Sequence, residues 1–169
     1  ELEDAAVAAM RLPGELTDYN GISFYCTPDQ SFLLMILPSG RKLYYPHPHL
    51  RKTETPWGAE KDQITYMGMN SYTNKWERLS TYGGKLTENA IQAIARDLMA
   101  FSMYRAEQRG FPIVLTVHDE LVAEISRCQD DAERKEKLDE LRRIMCELPK
   151  WARGLPIAAE GYVGWRFRK

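Results

Sequence analysis

Among the side chains able to do chemistry, the densest group is His118-Asp119-Glu120, an imidazole and two carboxylates in consecutive positions. Acids held at strand ends suit Mg²⁺, which takes hard oxygen ligands, commonly one or two carboxylates together with substrate phosphates. Without that chemistry the triplet is a solvated turn between two strands. As a turn it is unusual, because it holds no Gly, Pro or Asn to supply the backbone angles of a tight hairpin. A metal hydrolase using all three residues meets a geometric objection, since neighbours on a strand point to opposite faces. A second group is Asn89, Gln92 and Arg96, whose spacing a helix would align on one side. Two amides and a guanidinium in a row can contact base edges and phosphates, or simply form a solvated face. His47 and His49 alternate with prolines and lack further ligands close by for a tetrahedral site, so an extended surface connection accounts for them. Gly83-Gly84-Lys85 lacks the full spacing of a phosphate loop.

These groups need elements to position them. Ile113, Leu115 and Val117 alternate before the triplet, and Leu121, Ala123 and Ile125 after it, so two half-buried strands should form a hairpin with the triplet at its tip. The spacing of Ile91, Ile94, Leu98, Phe101 and Ala106 predicts a long helix over about Thr87 to Gln108, capped by Thr87 and closed by Gly110 and Pro112. Asp130 to Leu148 reads as a charged surface helix, with Leu138, Leu141, Met145 and Leu148 facing inward and Glu133–Lys137 as an ion pair. Pro156 to Glu160 can return as a strand before a basic, aromatic tail ending in Arg168-Lys169. Upstream, Glu1 to Arg11 is a short helix stopped by Pro13-Gly14. Ile22–Cys26, Ser31–Leu37 and Arg41–Tyr45 suggest an antiparallel meander, and residues 51–63, with Pro56 and Gly58, read as a loop. Ile64 to Leu79 interleaves aromatic residues with Lys75 and Arg78, a composition that serves nucleic-acid stacking or a protein core equally well. The fold class is α+β, an antiparallel sheet with a central His-Asp-Glu hairpin packed on one side by the two helices.

A chain of 169 residues is one domain's worth. Its net charge of −1 means that any affinity for nucleic acid must come from local patches. Cys26, Cys128 and Cys146 show no zinc or disulfide spacing, which fits a reduced, intracellular setting. No apolar run is long enough for a membrane span, and the start at Glu1 without Met reads as a fragment or processed piece.

Taken together, Val117-His118-Asp119-Glu120-Leu121 between two strands and Glu88-Asn89-Ala90-Ile91-Gln92 through Arg96-Asp97 on the preceding helix resemble the C-terminal part of the palm of family A DNA polymerases, phage and prophage versions above all. The stretches Leu37 to Pro46, Ile64 to Trp76, Tyr82 to Lys85 and Arg166 to Lys169 resemble that group too, so the likeness covers nearly all of the chain. It implies a palm fragment, residues 1–63 forming a helix, meander and loop and 64–169 the palm core with motif C. Asp119 would be the motif C aspartate that holds catalytic Mg²⁺, and Glu120 its weaker acidic neighbour. His118 would lie near the primer-terminal backbone, Gln92 would contact bases from the minor groove, and Arg96 and Asn89 would assist with primer or template. Two metals clamp the attacking and leaving oxygens of such a transfer from dNTP to primer-template DNA. Family A polymerases also need an aspartate in a second, DYSxIExR-like motif and a nucleotide-binding fingers helix, and neither is present. Asp18-Tyr19-Asn20-Gly21-Ile22 is superficially similar, but Ser23 replaces the motif's Glu and no Arg follows, so Asp18 reads as a loop residue. The implied partner is the missing upstream region, in cis or as a separate subunit, and the chain alone should not polymerise. The competing reading is a DNA-binding or assembly module that keeps the palm shape without catalysis.

Overall fold

Helix α1, Leu2–Arg11, opens the chain and buries Leu2, Ala6 and Ala9 along one side. This computed structural model describes residues 1–54 and 58–167; Pro56 of the expected loop and Arg168-Lys169 of the tail lie outside the described residues. The chain divides into two units, Glu1–Gln92 and Ala93–Lys169.

In the first unit, β1 (Leu16–Tyr19), β2 (Ile22–Cys26), β3 (Phe32–Ile36) and β4 (Lys42–Pro46) pair in sequence as an antiparallel sheet. The expected meander is present, lengthened by β1. Asn20 and Gly21 turn β1 into β2 with φ of 52° and 80°, the two positive values that an Asn-Gly hairpin turn uses. Phe24, Leu33 and Met35 are fully buried beneath this sheet. Asp18 belongs to β1 and not to a loop, its Oδ2 accepting from Ser23 Oγ at 3.0 Å across the hairpin.

The expected loop at 51–63 is mostly strand. β5 (His49–Glu54), β6 (Glu60–Met69) and β7 (Trp76–Thr81) form a second antiparallel sheet in that order. β5 is a charged edge strand, and edge strands carry charge to avoid further pairing, which hides the alternation that marks a strand. The Tyr45 and Tyr66 rings meet edge to face at 5.0 Å between the two sheets. Opposite fully buried Ile64, Thr81 is 1% exposed, and its Oγ1 has no hydrogen-bond partner among the described residues. An unmet buried hydroxyl costs free energy, so Thr81→Val should raise unfolding stability by about 1 kcal/mol, measured by denaturant titration.

Helix α2, Gly83–Gln108, begins one turn earlier than its sequence suggests. Thr87 is not the cap; its Oγ1 donates to the Gly83 carbonyl at 2.8 Å, inside the helix. The free Gly83 N–H donates instead to Glu3 Oε2 at 3.0 Å, and the same oxygen accepts from Lys61 Nζ at 2.7 Å. A carboxylate at a helix start satisfies an orphan donor and meets the positive end of the helix dipole. Glycine fits because a Cβ at position 83 would stand 3.2 Å from Glu3 Oε2. The inward side of α2 carries Leu86, Ala90, Ala93, Met99 and Ala106, whereas Ile91, expected inside, is 61% exposed. Small side chains face inward, and a hydrophobicity pattern weights them too lightly.

In the second unit, Ala106, Phe111 and Ile144 form the core, with Ile113, Ala123, Ile125 and Leu141 packed on it. β8 (Ile113–Val117) and β9 (Glu120–Ala123) pair antiparallel as a separate two-stranded sheet. The described residues hold three antiparallel sheets of four, three and two strands, so the meander is a sheet of its own and the expected hairpin is a separate pair and not the centre of a larger sheet. Helix α3, Asp131–Met145, is capped by Asp130, whose Oδ1 accepts from Glu133 N at 2.8 Å. Glu133 reciprocates by accepting from Gln129 N at 2.6 Å, so it serves the helix start and not the expected pair with Lys137. A short 3₁₀ turn, Lys150–Ala152, follows. Residues 156–160 form no strand; Arg142 Nε holds them by donating to Ala159 O at 2.9 Å. No helix among the described residues is long and apolar enough to cross a membrane.

Glu147, just past α3, accepts from Arg105 Nε at 3.1 Å and from Arg109 Nη1. Arg109 foremost, then Arg105, holds its carboxyl below the usual 4.5 against a smaller upward push from burial. A depressed carboxyl stabilises the fold fully above the usual value, and that contribution disappears as pH falls through the lower folded-state value. Thermal unfolding over a descending pH series should therefore show an acid-side loss, and Glu147→Gln should shrink it.

Candidate metal and nucleic-acid site

The hairpin of β8 and β9 closes with Val117 opposite Glu120, leaving His118-Asp119 as a two-residue loop. Glu120 thus belongs to a strand, and the turn is shorter than the charged triplet suggested. His118 has φ of 53°, at a loop position where hairpin turns favour Gly. Histidine is among the few side chains that enter this region with some frequency, which answers how the turn forms without Gly, Pro or Asn. Pairing jumps from Ile113 opposite Ala123 to Leu115 opposite Val122, so Val114 is a bulge residue. The bulge ends the expected alternation: Val114 and Leu115 are 57% and 45% exposed. Bulges re-aim side chains and often lie beside sites.

The base of the hairpin is held firmly while its tip is open. Glu124 N donates to Pro112 O at 3.0 Å, Ile113 N donates to Glu107 Oε1 at 2.6 Å, and Ile113 and Ala123 pack on the core. His118, Asp119 and Glu120 are all exposed, and none of their side chains has a hydrogen bond or ion pair among the described residues. Among the described residues no three His, Cys, Asp or Glu gather to hold a metal. Uncommitted carboxylates in and beside a two-residue loop, on a hairpin whose base is held, do fit Mg²⁺, which binds through one or two acids with waters and phosphates completing its shell.

On α2 the three polar residues differ in commitment. Asn89 is half-buried and donates from Nδ2 to Tyr45 Oη at 3.1 Å, a structural bond within the first unit. Burial raises the Tyr45 hydroxyl pKa, and the Asn89 bond opposes this. Gln92 is exposed and donates from Nε2 to Glu88 Oε1 at 3.2 Å, which leaves its carbonyl available to a donor. Arg96 is exposed with no partner among the described residues. Asn89 and Gln92 fall in the first unit, Arg96 and the hairpin in the second.

His47 and His49 do not form an extended connection. His47 has φ of 47° and makes a corner, its N–H donating to Ser31 O at 2.7 Å and its carbonyl accepting from Arg78 Nη1 at 3.1 Å. His49 is the first residue of β5. Glu3 and Lys61, which organise the start of α2, carried no sequence signal because their partners are distant along the chain.

No family model matches this chain, and no solved structure matches it. Over all 169 residues it is 38% identical to the DNA polymerase of Bacillus phage SP02. The chain spans 24% of that protein's length. The likeness runs through both units, from the meander to the tail.

Proposed function

We propose that this chain is part of a DNA-directed DNA polymerase of family A type, contributing palm residues to template-directed transfer of dNTP onto a primer 3′-OH. The observation that carries this reading is 38% identity along the whole chain to a phage DNA polymerase. The open carboxylate at the hairpin apex, already read as the motif C acid, supports it. Asp119 would hold catalytic Mg²⁺, and Glu120 would add negative potential beside it. The metal supplies charge neutralisation of the attacking and leaving oxygens. His118 would meet the primer-terminal backbone, and Gln92 and Arg96 would approach the minor groove and phosphates of the primer-template. Asn89, tied to Tyr45, would help mainly by fixing the helix.

The second metal-binding acid would come from polymerase sequence other than these 169 residues, in cis or from another subunit. The isolated chain should accordingly give no dNTP incorporation in a primer-extension assay with Mg²⁺, while the complete protein extends the same primer. Clear incorporation by the isolated chain would defeat the shared-site reading. The competing reading, a DNA-binding or assembly module without catalysis, keeps the Gln92–Arg96 face but has no use for an uncommitted Asp119.

A further inference from the structure

The register of β5, β6 and β7 sorts charge between the two faces of their sheet. Residues opposite each other in antiparallel strands share a face, and alternate residues along a strand return to it. Arg51, Lys61, Met69, Trp76 and Arg78 therefore lie on one face, and all four acids of these strands, Glu54, Glu60, Asp62 and Glu77, lie on the other. Lys52 is the only strand cation on the acid face, where it pairs with Asp62 at 2.9 Å. In a chain of net charge −1, the strands thus give one sheet face cations and no carboxylate of their own, the Glu3 carboxylate reaching it from α1 at Lys61.

Lys61 is committed to Glu3, but Arg51 is exposed with no partner among the described residues. Arg78 donates from Nη1 to Thr65 Oγ1 at 3.2 Å as well as to the His47 carbonyl, which anchors the guanidinium and leaves other donors of its fork for a ligand. Met69 and Trp76, paired at the end of the hairpin, are 59% and 57% exposed. The turn beyond them is built, not loose. Asn70 Oδ1 accepts from Tyr72 N at 2.8 Å, and Asn70 N donates to Lys75 O at 2.9 Å, so the tip presents Tyr72, 96% exposed, beside exposed Lys75.

We propose that this sheet face and hairpin tip form a second DNA contact, distinct from the Gln92–Arg96 face of α2. Arg51, Lys75 and Arg78 take the phosphate backbone, and Trp76 takes an unpaired base by stacking. A face whose own strand residues include the guanidinium groups of Arg51 and Arg78 and no acid, with an exposed indole and the Lys75 ammonium at its end, is complementary in charge to a polyanion carrying flat rings. The contact reads no sequence. That the polyanion is DNA rests on the polymerase reading above.

The test is fluorescence anisotropy of the 169-residue chain with a labelled DNA single strand and a labelled duplex across a salt series. Arg51→Ala and Lys75→Ala should each reduce the slope of log affinity against log salt by about 0.7–0.9, with circular dichroism melts unchanged. Trp76→Ala should weaken single-strand binding about tenfold and spare the duplex. Undetectable binding at low salt, or a combined Arg51→Ala/Lys75→Ala variant with unaltered affinity and slope, would overturn the proposal. The polymerase reading fails separately: binding lost on Arg51→Ala/Lys75→Ala but indifferent to Gln92→Ala/Arg96→Ala would uphold this face and count against the α2 assignment. If Trp76→Ala instead converts a dimer to a monomer in sedimentation and leaves DNA binding intact, the face joins two copies of this chain and the proposal is wrong.

Discussion

On the proposed polymerase reading, Asp119→Asn in the complete protein should lower dNTP incorporation by on the order of 10³-fold or more, with unfolding stability unchanged. Both halves of that result follow from the hairpin. Asp119 touches no cation and accepts no hydrogen bond among the described residues, so its loss removes nothing from the fold. In the proposed role it serves a metal ion, and an amide keeps the shape while removing the charge a divalent ion needs. Glu120→Gln should cost far less, because Glu120 is the first residue of β9 and in the proposed role only adds negative potential beside the metal that Asp119 holds. Steady-state primer extension checks both, and a full rate for Asp119→Asn would move the chain to the non-catalytic reading.

Glu3→Ala is the substitution expected to damage the fold most, by about 2 kcal/mol in denaturant unfolding. Glu3 is 8% exposed and joins three elements through one oxygen, from α1 to Lys61 on β6 and to the first N–H of α2. Removal strands a helix donor and leaves a lysine without its partner. Lys61 is half-exposed, so the ion pair contributes less than a fully buried one would. Glu3→Gln should recover part of the loss, since its carbonyl still accepts from Gly83 while the attraction for Lys61 is gone. If both variants unfold like the parent, the cap does not hold the helix.

What the sequence revealed depended on how local the cause was. Asn20-Gly21 and Pro38-Ser39-Gly40 punctuate the meander, and its apolar strands alternate in full view. α3 announces its start with Asp130 and Glu133, three apart. β5 reads as a loop in the sequence because a charged edge strand without a clear apolar alternation looks like one. The start of α2 is not legible locally because the acceptor for its first N–H comes from Glu3, beyond the reach of any local rule, and Thr87 offers a plausible cap in its place. At the site, the exposed triplet was legible from residue type, and its hairpin from the flanking strands. The bulge at Val114 was not, because nothing in the apolar run from Ile113 to Val117 marks where the register slips. The sorting of charge across β5–β7 needed the register itself.

The central claim is that the acid at the hairpin apex is one half of a metal clamp completed by other polymerase sequence. Paramagnetic relaxation by Mn²⁺ tests it most directly, in the complete protein bound to primer-template and dNTP, with Mn²⁺ replacing Mg²⁺. The account predicts strong broadening of the His118, Asp119 and Glu120 amide signals that Asp119→Asn abolishes. Signals there that stay sharp, or broadening indifferent to Asp119→Asn, would contradict it.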